Sequence, residues 1–201
     1  MQPEDTAIAY DDLAHWWQEQ HQQSEYGLAP LRRAIQLTQP RGLAIDIGCG
    51  SSGRFISVLL NSGFTVEGLD ISAQMIQLAQ ELHPGLVFYC QNVADWQPTK
   101  PYNLITAWDS TFHLPLNLQE PVLTKLCNAL ADQGILLLTC GGGADASEIR
   151  GSFQSQDFEY STLGINHILR IIDQQGCTCL HLEYDQHPEN HVYLIIQKHV
   201  G

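Results

Sequence analysis

Short β-rich runs alternate with amphipathic stretches along most of the chain, and this alternation constrains the fold more than any other feature. The runs cover 43–47, 65–69, 86–90, 103–108, 134–139, 177–184 and 192–197. Between the first five lie helical patterns over 54–62, 72–82 and 118–131, and Ser72 is placed to cap the second of them. A strand-to-strand connection holding a helix makes neighbouring strands parallel, so the pattern predicts a sheet with helices on both faces. A further helix over 163–175, with Ile165, Ile168, Leu169 and Ile172 on one side, stops at Gly176. The last two runs are separated only by the polar stretch 185–190, too short for a crossover helix, so they pair antiparallel.

At 201 residues with 44% hydrophobic content, the chain holds one α/β domain with a sizeable core. Nine Lys and Arg against 22 Asp and Glu give a net charge of −13, which repels phosphate backbones and anionic lipid. Nucleic acid and membrane are therefore not expected as partners. The first 30 residues hold no apolar signal-like run, and the six cysteines are scattered, which predicts reduced thiols and a cytoplasmic protein.

The strongest local signal is AIDIGCGSSGRF, residues 44–55, an apolar strand followed by Gly48, Gly50 and Gly53 and then by a helical pattern. Glycines there let the backbone bend sharply and approach a ligand closely, and the helix behind them offers free N–H groups. Asp70 closes the second strand about twenty residues on, where a carboxylate can accept both hydroxyls of a ribose. The combination predicts an adenosine-containing ligand. Asp46, two residues before Gly48, decides between candidates. Opposite a pyrophosphate it would cost several kcal/mol at an effective dielectric of about 20. It suits instead a ligand whose nearby charges are an ammonium and a sulfonium, as in S-adenosylmethionine.

On these residues the chain resembles the class I S-adenosylmethionine-dependent methyltransferases, from Leu43 to Lys198. AIDIGCGSSG is similar to that family's first motif, with Asp46, Gly48 and Gly50 in matching places, Cys49 between them, and Ser52 where the family commonly has a third glycine. VEGLDIS supplies Asp70 for the ribose, with Ile71 beside it; CQNVADW places Asn92 and Val93 where the family binds adenine. YNLITAWDSTFHLP resembles the strand-four motif, whose end passes beside the transferred methyl, which places Trp108 and Asp109 there. The resemblance implies a Rossmann-like α/β fold of seven strands in the order 3-2-1-4-5-7-6 with the seventh antiparallel. It also implies S-adenosylmethionine as methyl donor and S-adenosylhomocysteine as product. LADQGILLLTCGG matches the fifth strand, and the Asn/Asp-Pro-Pro-aromatic signature of many amino-methylating relatives is absent, since DSTF follows Trp108.

Within this frame residues 1–40, with Tyr10, Trp16 and Trp17, predict a helical lid laid over the sheet edge, and 41–140 the cofactor-binding core. Residues 141–162 read as a mobile substrate-side flap carrying Phe158 and Tyr160, and 163–201 as the last helix and antiparallel hairpin. The candidates for a general base are His113, Asp185 and His191, with Tyr184, His187 and Glu189 also expected near the substrate. The enclosed, aromatic-rich site suits a small-molecule acceptor. Cys177, Cys179 and His181 alternate on one strand, but without a CxxC pair they are read as packing residues and no metal is expected. Two other readings compete: a nicotinamide-dependent oxidoreductase, for which the glycine pattern and Asp70 also fit, and a non-catalytic cofactor-binding protein.

Overall fold

The computed structural model describes residues 1–51 and 53–201, so Ser52 lies outside the described residues. Two helices, α1 (Pro3–His21) and α2 (Leu28–Leu37), precede β1 (Leu43–Ile47), α3 (Arg54–Asn61), β2 (Thr65–Asp70), α4 (Ala73–Leu82), β3 (Val87–Cys90) and β4 (Tyr102–Ala107). A single 3-10 turn (Thr111–His113) leads into α5 (Leu116–Asn128) and the long β5 (Leu130–Gly141). There follow β6 (Ser147–Phe153), β7 (Gln156–Thr162), α6 (Ile165–Gln174), β8 (Cys177–Tyr184) and β9 (His191–Lys198).

Seven strands form one sheet in the order β3-β2-β1-β4-β5-β9-β8. This is the expected order, with β8 and β9 as the sixth and seventh sheet strands. All pairs from β3 to β5 are parallel, and β9 runs antiparallel to both β5 and β8.

Side chains alternate across the strands, so each strand feeds two cores. Ile45 and Ile47 of β1, with Leu136 and Leu138 of β5, face α5 and α6 through Leu123, Leu126, Ile168 and Ile172. Ala44, Ile135 and Leu137 face the opposite layer, where Leu31, Ile35, Ile56 and Leu59 come from α2 and α3. The helix α2 therefore lies on the sheet face over the central strands, a correction to the expected placement over the edge. Its apolar face, Leu28, Leu31, Ala34 and Ile35, is buried, and burial against two apolar strands outweighs any edge contact.

The segment read as a mobile flap is an ordered antiparallel hairpin, β6 with β7, in register from Ser147↔Thr162 to Phe153↔Gln156. Its outer strand is exposed throughout, which is why the sequence looks like a polar loop; its inner strand buries Phe158 against Ala9 and Leu13 of α1. Helix α1 in turn packs on α4. The Asp11 carboxylate accepts the Ser72 hydroxyl at 2.5 Å and the Gln74 N–H at 3.0 Å, while the Ser72 hydroxyl oxygen accepts the Met75 N–H at 3.1 Å. The expected Ser72 cap is present and α1 is fastened to it. Among the described residues no helix is long and apolar enough to cross a membrane.

Candidate functional site

The parallel strands end at one rim of the sheet, and the order reverses between β1 and β4, which opens a crevice there. A cavity of about 200 Å³ fills it. Every residue expected to hold the cofactor lines it: Asp46, Gly48, Cys49, Gly50, Asp70, Ile71, Asn92, Val93 and Trp108. Tyr10, Trp17 and His21 of α1 and Tyr26 from the α1–α2 connection close its outer side.

The floor is the glycine turn. Gly48 has φ +70° and a Cβ there would stand 2.3 Å from the Ser110 Cβ, so only glycine fits against the end of β4. Gly50 has φ +59°, and a Cβ there would meet nothing nearer than the Trp17 indole nitrogen at 3.9 Å. It would occupy free space above the turn, where a ligand can approach the backbone. Asp70 holds this turn in place: its Oδ2 accepts the Gly50 N–H and its Oδ1 the Ser72 N–H, both at 2.9 Å. Each carboxylate oxygen retains a second lone pair. Burial pushes the Asp70 carboxyl above its ordinary range, and the backbone N–H groups oppose that shift.

Asp46 is 5% exposed and paired in the sheet with Thr106, whose hydroxyl donates to Asp46 Oδ1 at 2.5 Å. Burial raises its pKa to about 7, with Thr106 and Arg54 pulling the other way. Arg54 opens α3 directly behind the turn, and its guanidinium lies 5.6 Å from the Tyr26 ring centre and 5.5 Å from that of Phe55. Arg54 Nη1, Trp108 Nε1 and Ser110 Oγ are buried without a hydrogen-bond partner among the described residues, and all three residues line the cavity. Unpaired buried donors are costly unless a ligand satisfies them. An amino-acid carboxylate beside Arg54, an ammonium beside Asp46 and a ribose on Asp70 match this donor and acceptor set, whereas a pyrophosphate would meet two aspartates. Asn92 fits less simply, since its side-chain oxygen accepts the Ala94 N–H at 2.9 Å, leaving one lone pair and the amide N–H groups for a base.

The base candidates have unequal surroundings. His113 reaches the cavity, but its Nε2 lies 2.8 Å from the Tyr10 hydroxyl and its Nδ1 3.4 Å from the Glu159 carbonyl oxygen. A carbonyl only accepts, so Nδ1 carries the proton and Nε2 accepts from Tyr10. Burial depresses its pKa to about 4. Asp185 and His191 stand outside the cavity wall and reach it through Asp109: Asp185 Oδ1 is 2.6 Å from His191 Nδ1, and His191 Nε2 is 2.9 Å from Asp109 Oδ1. Burial works against protonation of His191, yet the two carboxylates outweigh it and the pKa is raised. Tyr184 instead donates to the Gly142 carbonyl, and it does not line the cavity; nor do His187 and Glu189, which are exposed. Cys177 is buried and His181 turns outward to Arg33, Glu183 and Tyr193, so the alternating strand residues do not converge.

A model of the methyltransferase domain family matches residues 17–182. The chain belongs to the S-adenosylmethionine-dependent methyltransferases. Trans-aconitate 2-methyltransferase of Rhizobium etli is 33% identical to this chain over 94 residues, 46% of this chain and 36% of that protein. Malonyl-[acyl-carrier protein] O-methyltransferase of Bacillus cereus is 28% identical over 115 residues, 55% of this chain and 41% of its own. The matched stretches thus span only about two fifths or less of those relatives. Among solved structures, the Burkholderia thailandensis 1,6-didemethyltoxoflavin-N1-methyltransferase with bound S-adenosylhomocysteine superposes with TM-score 0.68 at 14% identity, covering 100% of this chain and 92% of its own. The DhpI–S-adenosylhomocysteine complex gives 0.69 at 18% identity, covering 98% and 97%. These likenesses show the fold, and the family membership decides against the oxidoreductase reading.

Arg54 and Tyr26 line the cavity without having been expected there, whereas Tyr10 was expected as part of the N-terminal lid. The unpaired donor of Arg54 shows only once the Tyr26 and Phe55 rings close around it, and Tyr26 can be placed at the crevice only from the path of the α1–α2 connection.

Proposed function

We propose that this methyltransferase binds S-adenosylmethionine in the cavity at the β1–β4 reversal and passes its methyl group to a small-molecule acceptor enclosed by α1. The observation that carries the reading is the charge arrangement around the glycine turn: buried Asp46 and Asp70, and Arg54 with a buried donor unpaired.

In this reading Asp70 accepts the ribose hydroxyls, the Gly48–Gly50 backbone supports the amino-acid part, and Asp46 and Arg54 neutralise its ammonium and carboxylate. Ile71, Val93 and Asn92 enclose the adenine, and Cys49 packs below the turn. When bound, the sulfonium supplies an electrophilic methyl and a neutral leaving group, so positioning and exclusion of water provide most of the acceleration. Trp17, Tyr26 and Trp108 exclude water. His113, with both nitrogens engaged, is a positioning residue that joins α1 to the loop after β4 and to the hairpin. His191 and Asp185 position Asp109. Residues 1–40 and the β6–β7 hairpin complete the acceptor side of one domain.

The acceptor named for the curated relatives of the trans-aconitate type does not carry over easily. A tricarboxylate would face three cavity aspartates, with Arg54 as the only Lys or Arg in the lining among the described residues. The strongly acidic chain disfavours nucleic acid and anionic membrane, and its free cysteines suit a cytoplasmic setting.

Calorimetric titration with S-adenosylhomocysteine and with NADH tests the reading. Binding of the first alone is expected, together with transfer of label from methyl-labelled S-adenosylmethionine to an acceptor. Binding of NADH with no S-adenosylhomocysteine binding would reject it, and cofactor binding with no transfer to any acceptor would favour the non-catalytic alternative.

A further inference from the structure

The acceptor side of the cavity has one carboxylate with an unusual setting. Asp109 follows β4 directly with φ +50°, a left-handed conformation uncommon for a residue with a side chain. Two contacts hold it there, and a third fixes its partner. The Asp109 N–H donates to Thr139 Oγ1 at 2.7 Å, and Asp109 Oδ1 faces His191 Nε2 at 2.9 Å, which is fixed by Asp185 at 2.6 Å on its other nitrogen. Both partners of His191 are carboxylates that only accept, so the ring between them carries both protons. Two carboxylates around one imidazolium leave a net negative charge at the cavity wall. The Asp109 side chain is 29% exposed, so it reaches the cavity and its water.

We propose that the methyl acceptor is a small basic amine that docks as its ammonium on Asp109. The inference rests on the reading of this cavity as the methyl-transfer site. The aromatic side chains Trp17, Tyr26 and Trp108 line the same cavity, with His21 already stacked on Trp17 and the Arg54 guanidinium over the Tyr26 ring. An anionic acceptor would instead meet Asp109, and a unit pair of like charges 4 Å apart repels by about 4 kcal/mol at an effective dielectric of 20. A hydroxyl acceptor carries no charge, so it forgoes the ion pair that an ammonium makes with Asp109.

The chemistry balances with these groups. The bound ammonium gives one proton to the Asp109 carboxylate. The freed nitrogen lone pair forms the bond to the donated methyl carbon while the carbon–sulfur pair stays with sulfur. The product leaves as a methylammonium, and the proton on Asp109 passes to water, one per turnover. His191 and Asp185 are positioning residues: they fix the carboxylate without touching the acceptor.

Three phenyl-bearing probes that differ in their polar end test this on protein saturated with S-adenosylhomocysteine: 2-phenylethylamine, 2-phenylethanol and 3-phenylpropanoate. Calorimetry is expected to rank the amine at least tenfold tighter than the other two, and in label-transfer assays from S-adenosylmethionine only the amine is methylated. Asp109→Asn is expected to abolish the ranking on protein still saturated with S-adenosylhomocysteine; should that variant fail to fold, the wild-type ranking decides alone. Equal or tighter binding of the alcohol or the acid, label in either, or an amine that neither binds nor is labelled would overturn the proposal. Failure of S-adenosylhomocysteine to bind at all would instead overturn the underlying reading of the cavity.

Discussion

Asp46 sits where a charge is expensive, and its behaviour separates the free protein from the loaded one. Its carboxyl is raised to about 7 by burial, so in the free protein it carries a proton through mildly acidic pH. A cation beside it favours the ionised form, so cofactor binding near pH 7 should release a proton from this site. Titrations of S-adenosylhomocysteine in buffers of different ionisation enthalpy should show net release at pH 7, and Asp46→Asn should abolish it. The sign for stability follows from the same shift: the folded state holds this proton above the unfolded pKa, so the contribution of Asp46 falls as pH rises from about 4 to about 7. Denaturant unfolding of the free protein should therefore show Asp46→Asn gaining on wild type as pH rises through that range. His113 acts oppositely at the acid end. Its pKa is depressed to about 4, so the stability it provides is present above about 6.5 and is lost as pH falls through 4. The place of Asp46 at the cavity was legible in the sequence, since an acid two residues before a glycine bend lies at the end of its strand. The partner on the other side, Arg54, was not weighed, because its unpaired donor appears only when the Tyr26 and Phe55 rings close around it.

At the scale of elements, α1 and the β6–β7 hairpin hold each other over the crevice. Phe158 packs between them, and the Tyr10 hydroxyl donates to His113 on the loop after β4. Tyr10→Phe leaves a buried imidazole nitrogen unsatisfied and should cost about 1–3 kcal/mol in urea unfolding, with the largest loss of hydrogen-exchange protection in α1. A uniform loss of protection across the sheet would contradict the local role. The sheet strands and α3 to α6 were legible because their apolar residues recur with clear periods of two or 3.6. The hairpin was not: β6 is exposed along its whole length, and an element with no apolar face gives no periodic signal. The placement of α2 failed for a related reason. Its amphipathic pattern shows that one side is buried but not which face of the sheet receives it.

For the whole molecule, the order of the sheet brings the glycine turn, Asp70, Asn92 and Trp108 to one rim, although they are spread over about sixty residues of chain. The antiparallel β9 carries His191 to that rim from the far end of the sequence. Ligand at a hundredfold excess over its dissociation constant stabilises the fold by about 2.7 kcal/mol. For a chain of this size that raises Tm by about 5–10 °C, at roughly 2–4 °C per kcal/mol, a shift that scanning calorimetry with S-adenosylhomocysteine should show. The central claim is electrostatic and positional, and a crystal structure with S-adenosylhomocysteine addresses both parts. The account predicts the ribose hydroxyls on Asp70 and the amino-acid group between Asp46 and Arg54, with the sulfur turned toward Trp108 and Asp109. A ligand lying with its amino-acid group away from Asp46 and Arg54, or its ribose away from Asp70, would contradict it.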